Sequence, residues 1–180
     1  SERYADSSLL ASGKWVKIRV KDAGVYELSK SKLLSIGFKN PDMVRLYGYN
    51  LPVLPEGNIE NLPDDLTEIP LWRKSNGSVM FYSCGPTLWT RTSQKIYEHF
   101  NNPYSTHIYY FLTENDSIEP AKFKVEESVD NPTSTSTSFY DYALIEADEF
   151  SFINVGRMFF ENYDYAIGNK KNYKLDLPGI

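Results

Sequence analysis

The stretch Val79–Trp89, VMFYSCGPTLW, decides the fold of this chain. Side chains alternate across a strand, so one face carries Val79, Phe81 and Ser83, and the other carries Met80, Tyr82 and Cys84. Both faces are largely apolar or aromatic, which predicts a central strand that is covered on both sides. The pair Asn76-Gly77 favours a tight turn before the strand, and Gly85-Pro86 ends it.

The composition around this strand is that of a β-rich globular protein. Of the 180 residues, 41% are hydrophobic and 24% are charged, and 14 residues are tyrosine. Tyrosine suits half-buried strands, because its ring packs against the core while its hydroxyl reaches water. A chain of this length can bury one substantial core or two small ones.

The charge and the distribution of apolar residues argue against a nucleic-acid-binding protein and against a transmembrane segment. Nineteen basic and 24 acidic residues give a net charge of −5, and no long basic run occurs. Nucleic acid is therefore not an expected partner. No apolar run is long enough to cross a bilayer, so we expect no transmembrane segment. The first residues, SERYADSSLL, lack the basic start and apolar core of a signal peptide.

Two strands and their turn are predicted near the start of the chain. Lys14–Val20 alternates between apolar and polar residues, as a half-buried strand does. Asp22-Ala23-Gly24 then turns the chain, and Val25–Leu28 returns, so the two strands are predicted to form a hairpin.

A short helix and a third strand follow. Ser29 is a candidate N-cap and Gly37 a candidate C-terminal stop, which predicts a helix over residues 30–36. Val44–Tyr49 predicts a strand, and Gly48 inside it suggests a bulge or a sheet edge.

The rest of the chain adds further strands. Residues 50–70 form an acidic, proline-rich loop that leads to a short strand at Ile69–Trp72, and the polar stretch between Trp89 and Tyr104 predicts no element. The aromatic strand Ile108–Thr113 is expected to pair close to Val79–Ser83. Later candidates are Phe123–Glu126 with Phe123 and Val125 facing inward, the ambiguous segment Phe139–Ile153, Val155–Tyr163 and Tyr173–Leu177.

These elements together predict an all-β fold. Each strand needs its apolar face covered, so two packed sheets, a β-sandwich with one short helix, are the expected solution. We expect a single β-rich domain over residues 12–180, preceded by a flexible segment over residues 1–11.

Catalytic and metal chemistry find little support in the residue types. Cys84 with His99 or His107 is the only Cys–His combination, and no spacing requires the thiol to meet an imidazole. Cysteine in an apolar strand is more often a core residue, so no catalytic residue is predicted. One Cys and two His do not build a structural zinc site. The acidic loop Glu56–Asp65 could hold calcium, but it lacks the usual ligand spacing and is better explained as solvated.

Several aromatic rings are candidate contact residues. Exposed rings can stack on sugars, and the candidates are Trp72, Trp89, Tyr104, Tyr109 and Tyr110. The competing explanation, which we favour, is that these rings fill the sandwich. Arg157, after Gly156, could anchor a carboxylate or cover an aromatic face.

Several motifs resemble a known family in the same order along the chain. They are SGKWVKIRV and GVYELS, then VRLYG at Val44–Gly48, VMFYSCGP at Val79–Pro86, NPYS at Asn102–Ser105 leading into YYFLT, and Gly156-Arg157. This order is similar to the amino-terminal region of PorU-like proteins, the gingipain-related sortases of the type IX secretion system in Bacteroidetes. The resemblance covers most of Ser12–Tyr163.

The resemblance implies a non-catalytic, prodomain-like module that packs on or restrains a downstream peptidase domain of the same polypeptide. It also implies export to the periplasm, outer membrane or cell surface, with envelope or secretion-system proteins as further partners. The family's catalytic His precedes a glycine, whereas His99 precedes Phe100 and His107 precedes Ile108, so we expect no enzyme in this chain. An independent carbohydrate-binding or adhesion module remains the alternative.

Overall fold

The structure is a computed structural model that describes residues 5–55, 57, 62–93, 97–124, 130–131, 133–134, 137–138, 144–146, 161, 166–168 and 170–174. The chain divides into two compact units, Ser1–Val125 and Glu126–Ile180. All of the strands in the described residues belong to the first unit. The single domain expected over residues 12–180 stays a prediction, and the segments 139–153 and 155–163 lie largely or wholly outside the described residues.

The all-β prediction is confirmed, because the described residues contain strands and only one α-helix, α1 (Lys30–Ser35). The strands are β1 (Val16–Val20), β2 (Gly24–Leu28), β3 (Val44–Gly48), β4 (Thr67–Ile69), β5 (Trp72–Arg73), β6 (Val79–Ser83), β7 (Thr87–Arg91), β8 (Tyr97–Asn101) and β9 (Ile108–Glu114). Short 3₁₀ turns occur at Leu9–Ala11 and Pro41–Met43. The helix begins as predicted, since the Ser29 hydroxyl accepts a hydrogen bond from the Lys32 backbone N–H at 3.1 Å.

The strands form three antiparallel sheets. The large sheet has the order β1-β9-β3-β4, the small sheet has the order β2-β6-β5, and β7 and β8 form a separate two-stranded sheet. The large and small sheets share one hydrophobic core, in which the rings of Tyr110 on β9 and Phe81 on β6 lie 5.3 Å apart. Leu33 of α1 and Phe38 are buried in the same core. The core residues therefore come from the facing sides of two sheets, as in a sandwich.

The predicted hairpin between β1 and β2 is wrong. β1 pairs with β9, from Val16 opposite Leu112 to Val20 opposite Ile108, and β2 pairs with β6. The turn between them carries the chain from one sheet to the other. In this arrangement the apolar side chains of β1 and β9 lie side by side on the core face of the large sheet. A two-stranded hairpin of β1 and β2 alone would leave its apolar face exposed to water.

Three further predictions need correction. Ile108–Thr113 does not pair with Val79–Ser83, because the two strands belong to different sheets and meet through side chains across the core. The polar stretch after Trp89 is not irregular throughout, since it contains β8, which pairs with β7. Phe123 and Lys124 lie in no strand, and the neighbouring Lys122 forms only an isolated bridge to Leu71.

Gly48 marks neither a bulge nor an edge. It lies in regular register opposite Thr67, and its strand β3 has β9 on one side and β4 on the other. A Cβ atom at this position would come within 2.7 Å of Cδ1 of the buried Tyr110 ring. The glycine is therefore required by the close approach of an aromatic ring to the backbone.

Candidate functional site

The outer face of the small sheet is apolar and exposed. Val79, Phe81 and Ser83 of β6 point into the core and are buried, as the alternation predicts. Tyr82 points outward, and 51% of its surface is exposed. The prediction that β6 is covered on both sides is therefore wrong, because no second layer lies over Tyr82 in the described residues.

Neighbouring strands extend this exposed face. The register places Val25 of β2 opposite Tyr82, and Trp72 of β5 opposite Met80, so all four side chains share one side of the sheet. Phe123 completes a shallow depression of about 330 Å³. We call this surface the outer apolar patch, defined by Val25, Trp72, Met80, Tyr82 and Phe123. Val25 is 64% exposed, Trp72 49% and Phe123 39%.

Two charged groups beside the patch, Glu27 and Lys74, are paired with each other. Glu27 lies next to Met80 in the register and forms an ion pair with Lys74 at 3.2 Å. The Ser78 hydroxyl also donates to Glu27 at 2.5 Å. These hydrogen bonds, first from Ser78 and then from Lys74, lower the pKa of Glu27. The carboxylate is therefore ionised at neutral pH and already has its partners.

Two further cations near Trp72, Arg73 and Lys122, also have partners within the chain. Arg73 turns toward the sandwich, where its guanidinium donates to the backbone carbonyls of Pro41 at 3.0 Å and Val44 at 2.5 Å. Burial lowers the pKa of Arg73, and its Nε has no hydrogen-bond partner. Lys122 forms an ion pair with Glu119. Glu27, Lys74 and Lys122 beside the patch thus have partners within the chain, and Arg73 points to the core side of the sheet.

The structure distributes the predicted contact residues over several surfaces. Trp72 lies in the outer apolar patch. Trp89 of β7 is half-buried and packs on the His99 ring at 5.3 Å, and Tyr104 is 72% exposed in the turn after β8. Tyr109 lies on the outer side of the large sheet, where the Lys17 ammonium sits 4.0 Å from its ring centre. Trp72 and Tyr109 thus occupy outer faces of different sheets.

Tyr110 is a core residue, and Arg157 lies outside the described residues. Tyr110 is fully buried and its hydroxyl donates to Asn50 Oδ1 at 2.7 Å, with Ser83 Oγ 3.0 Å away. Burial raises the pKa of Tyr110 to about 12. For this ring, the favoured explanation that the aromatic residues fill the sandwich is correct.

Cys84 does not form an activated nucleophile. Its Sγ is 3.2 Å from the backbone carbonyl of Asn50, to which it donates, and burial raises the pKa of the thiol. His107 Nδ1 lies 2.9 Å from Thr106 Oγ1, and His99 packs on Trp89. A thiol with a raised pKa and no imidazole partner is not a thiolate at neutral pH.

In the described part of the acidic loop, the carboxylates of Asp64 and Asp65 accept hydrogen bonds from backbone N–H groups of the chain. Leu9 N–H donates to Asp65 Oδ2 at 2.5 Å, and the Ala5 N–H donates to Asp64. Residue 56 and residues 58–61 lie outside the described residues, so half of the candidate calcium loop is not described. In the part of the chain that the structure describes, no group of three or more His, Cys, Asp or Glu could hold a metal ion.

Sequence reasoning missed most of the outer apolar patch. Of its members, only Trp72 was a predicted contact residue, and Met80 and Tyr82 were assigned to a buried face. The signal was the alternation of β6 itself, which gives two apolar faces. That pattern cannot tell a covered face from an exposed one, because coverage depends on elements distant in the sequence.

The described residues define an all-β domain whose small sheet has an apolar, exposed outer face. PorU from Porphyromonas gingivalis, solved as a crystal structure of its dimeric latent form, is similar to this chain at 40% identity with a TM-score of 0.60. The match covers 73% of this chain and only 12% of that PorU chain. It shows a PorU-like relationship.

No protein-family model matches the chain, and no curated protein matches it. Within the described ranges, no helix has the length and apolar character that crossing a bilayer would need. The relationship to PorU therefore rests on the match to the solved structure and covers a small part of that protein.

Proposed function

We propose that this chain is a non-catalytic, amino-terminal, prodomain-like module of a gingipain-related cell-envelope cysteine peptidase or sortase. In this role it packs on, or restrains, the adjacent catalytic domain of the same polypeptide. The observation that carries the proposal is the PorU match, which is close over 73% of this chain and occupies 12% of PorU. Because the matched region is only 12% of the PorU chain, we infer that the present chain is likewise one part of a larger protein.

The chemistry of the chain supports a non-catalytic role. A cysteine peptidase needs a thiolate and a base within hydrogen-bond reach. Cys84 instead donates to a backbone carbonyl, and burial raises the pKa of its thiol. The catalytic Cys and His would then belong to the downstream domain.

The proposed setting is the bacterial envelope. The PorU-like relationship supports export to the periplasm, outer membrane or cell surface, and a role in type IX secretion. The partners would be the downstream peptidase domain and, beyond it, envelope or secretion-system proteins.

Limited proteolysis of the full polypeptide tests the proposal. After a nick between this module and the following domain, we expect both fragments to elute together in gel filtration under native conditions. Separate elution of two folded fragments would contradict packing on a neighbour. The sequence after Ile180 gives an independent check, because the proposal requires a gingipain-type His and Cys there.

A carbohydrate-binding or adhesion module is the second candidate. It is favoured by exposed rings, since Tyr104 is 72% and Trp72 49% exposed, and such rings stack on sugars. Glycan-array binding that is strong, specific and lost in Tyr104→Ala or Trp72→Ala would support this function over the first.

A further inference from the structure

We propose that the outer apolar patch is the surface by which this module docks on the adjoining domain of its own polypeptide. This inference rests on the proposed function and names the surface and the chemistry of the partner. The partner surface is apolar and uncharged.

The patch has the character of a protein contact surface. Val25, Tyr82, Met80 and Trp72 are neighbours in the register of β2, β6 and β5, and Phe123 lines the same depression, so the five residues form one continuous surface. Val25 and Tyr82 each expose more than half of their surface, and Trp72 nearly half. Contiguous apolar surface of this kind, bordered by polar groups, marks an interaction site in soluble proteins.

The charges around the patch specify an apolar, uncharged partner. Glu27, which lies opposite Met80, is bound by both Lys74 and Ser78. A charged group of the partner placed over Glu27 would have to displace Lys74 or remain unpaired on docking. An interfacial membrane site would instead present unpaired Lys and Arg around its rings.

A sugar-binding site would need further polar groups. Sugar hydroxyls are recognised by amides, carboxylates and other polar groups placed around the stacking ring. The residues that line the depression are Val25, Trp72, Met80, Phe81, Tyr82 and Phe123, of which only the tryptophan and the tyrosine carry a polar side-chain atom.

The size of the patch favours a domain of the same polypeptide over a second copy. Its partly exposed rings with Val25 and Met80 present roughly 400 Å² of apolar surface. Separate chains that associate stably bury about 800 Å² on each partner. Domains joined by a linker need less, because the linker keeps them at a high effective concentration. The match to 12% of PorU leaves most of such a polypeptide to supply the partner surface.

Hydroxyl-radical footprinting of the full polypeptide, compared with this 180-residue chain, tests the inference. We expect several-fold lower labelling of Trp72 and Phe123 in the full polypeptide. Tyr82→Lys should restore their labelling to the level of the free chain, because a buried ammonium would oppose docking. Tyr97→Lys is the matched control, because Tyr97 is 54% exposed in β8 and outside the patch, and it should change nothing.

The other outcomes separate the inference from the proposed function. Protection of Tyr97 or Tyr104 with unchanged labelling of the patch would overturn the docking surface and keep the packing role. Absence of any protection would overturn both. Protection of the patch that grows with concentration in the 180-residue chain alone would assign it to a second copy. If Tyr82→Lys lowers the unfolding midpoint, Val25→Lys provides the same test.

Discussion

At the scale of single residues, the hydroxyl group of Tyr110 has a structural role. Tyr110 is fully buried between the sheets, and its hydroxyl bonds to Asn50 and lies close to Ser83. The Asn50 side chain also accepts from the Cys84 backbone N–H at 3.3 Å. This network connects β9 of the large sheet and β6 of the small sheet to the loop after β3. The Tyr110 hydroxyl needs these partners because a buried polar group must form its hydrogen bonds inside the protein.

Replacing Tyr110 with Phe tests this network. The hydroxyl is lost while Asn50 and Ser83 remain, so we expect the free energy of unfolding to fall by about 1–3 kcal/mol. Urea denaturation measures the change. Tyr109→Phe is the control, because that hydroxyl belongs to an exposed ring, and it should leave the stability nearly unchanged. Equal effects of the two substitutions would contradict the network.

The reactivity of Cys84 tests the assignment of the thiol as a structural group. Burial raises its pKa, so the thiolate fraction at neutral pH is lower than that of a free cysteine. Iodoacetamide should therefore label the native protein more slowly than the same protein in denaturant. Labelling of the native protein at or above the denatured rate near pH 7 would show an activated nucleophile instead.

At the scale of elements, one ion pair joins β3, β4 and the chain near Ala121. Arg45 Nε donates to Glu68 Oε1 at 2.8 Å, and the Ala121 N–H donates to the same oxygen at 2.9 Å. Both charged side chains are largely buried, with 11% and 18% exposure. Burial raises the pKa of Glu68, but the hydrogen bonds from Arg45 and Ala121 outweigh it, and the net pKa is lowered.

Glu68→Gln should therefore destabilise the protein at neutral pH by about 1–3 kcal/mol. The folded-state pKa of Glu68 is below its ordinary value of 4.5. Its stabilisation is thus present above that value and is lost as the pH falls through the lowered pKa. Thermal unfolding should be measured from neutral pH to below the lowered pKa of Glu68. The stabilities of the wild type and the variant should converge as the pH falls.

Glu119→Gln is the control for this experiment. Glu119 pairs with Lys122 on the surface, where its side chain is 74% exposed, so solvent screens the pair. We expect no measurable change in stability. A gap between wild type and Glu68→Gln that persists unchanged in acid would mean that the ion pair is not its cause.

At the scale of the whole molecule, the hydrophobic core formed by the described residues lies in the first compact unit. All residues of the buried hydrophobic cluster, from Val20 to Leu112, lie within Ser1–Val125. β9 is the central connection, because it pairs with both β1 and β3 and carries Tyr110 into the core. The unit thus contains its own core, which is the physical requirement for independent folding.

A chain that ends at Val125 should therefore fold on its own. We expect one cooperative thermal transition and retention of the β-type far-ultraviolet circular dichroism signal. As a control, a chain that ends at Thr106 lacks β9 and should not fold, since β1 and β3 would lose their shared neighbour. An unfolded chain ending at Val125 would contradict the assignment of the core.

Local sequence patterns determined the elements that depend on neighbouring residues. The Ser29 cap set the start of α1, Asn76-Gly77 and Gly85-Pro86 bounded β6, period-two alternation identified β1, and aromatic content identified β9. These signals succeed because caps, turns and side-chain alternation act over a few residues. The all-β class followed from them, and the order of the motifs indicated the PorU-like relationship.

Tertiary structure decided which strands are neighbours and which apolar face stays exposed. β1 lies beside β9 and not beside β2, and Gly48 is explained only by the Tyr110 ring that crosses it. Met80 and Tyr82 look as apolar in sequence as the buried face of β6, yet they form the outer apolar patch. Pairing and coverage depend on contacts between residues far apart in the chain, and local alternation carries no information about them.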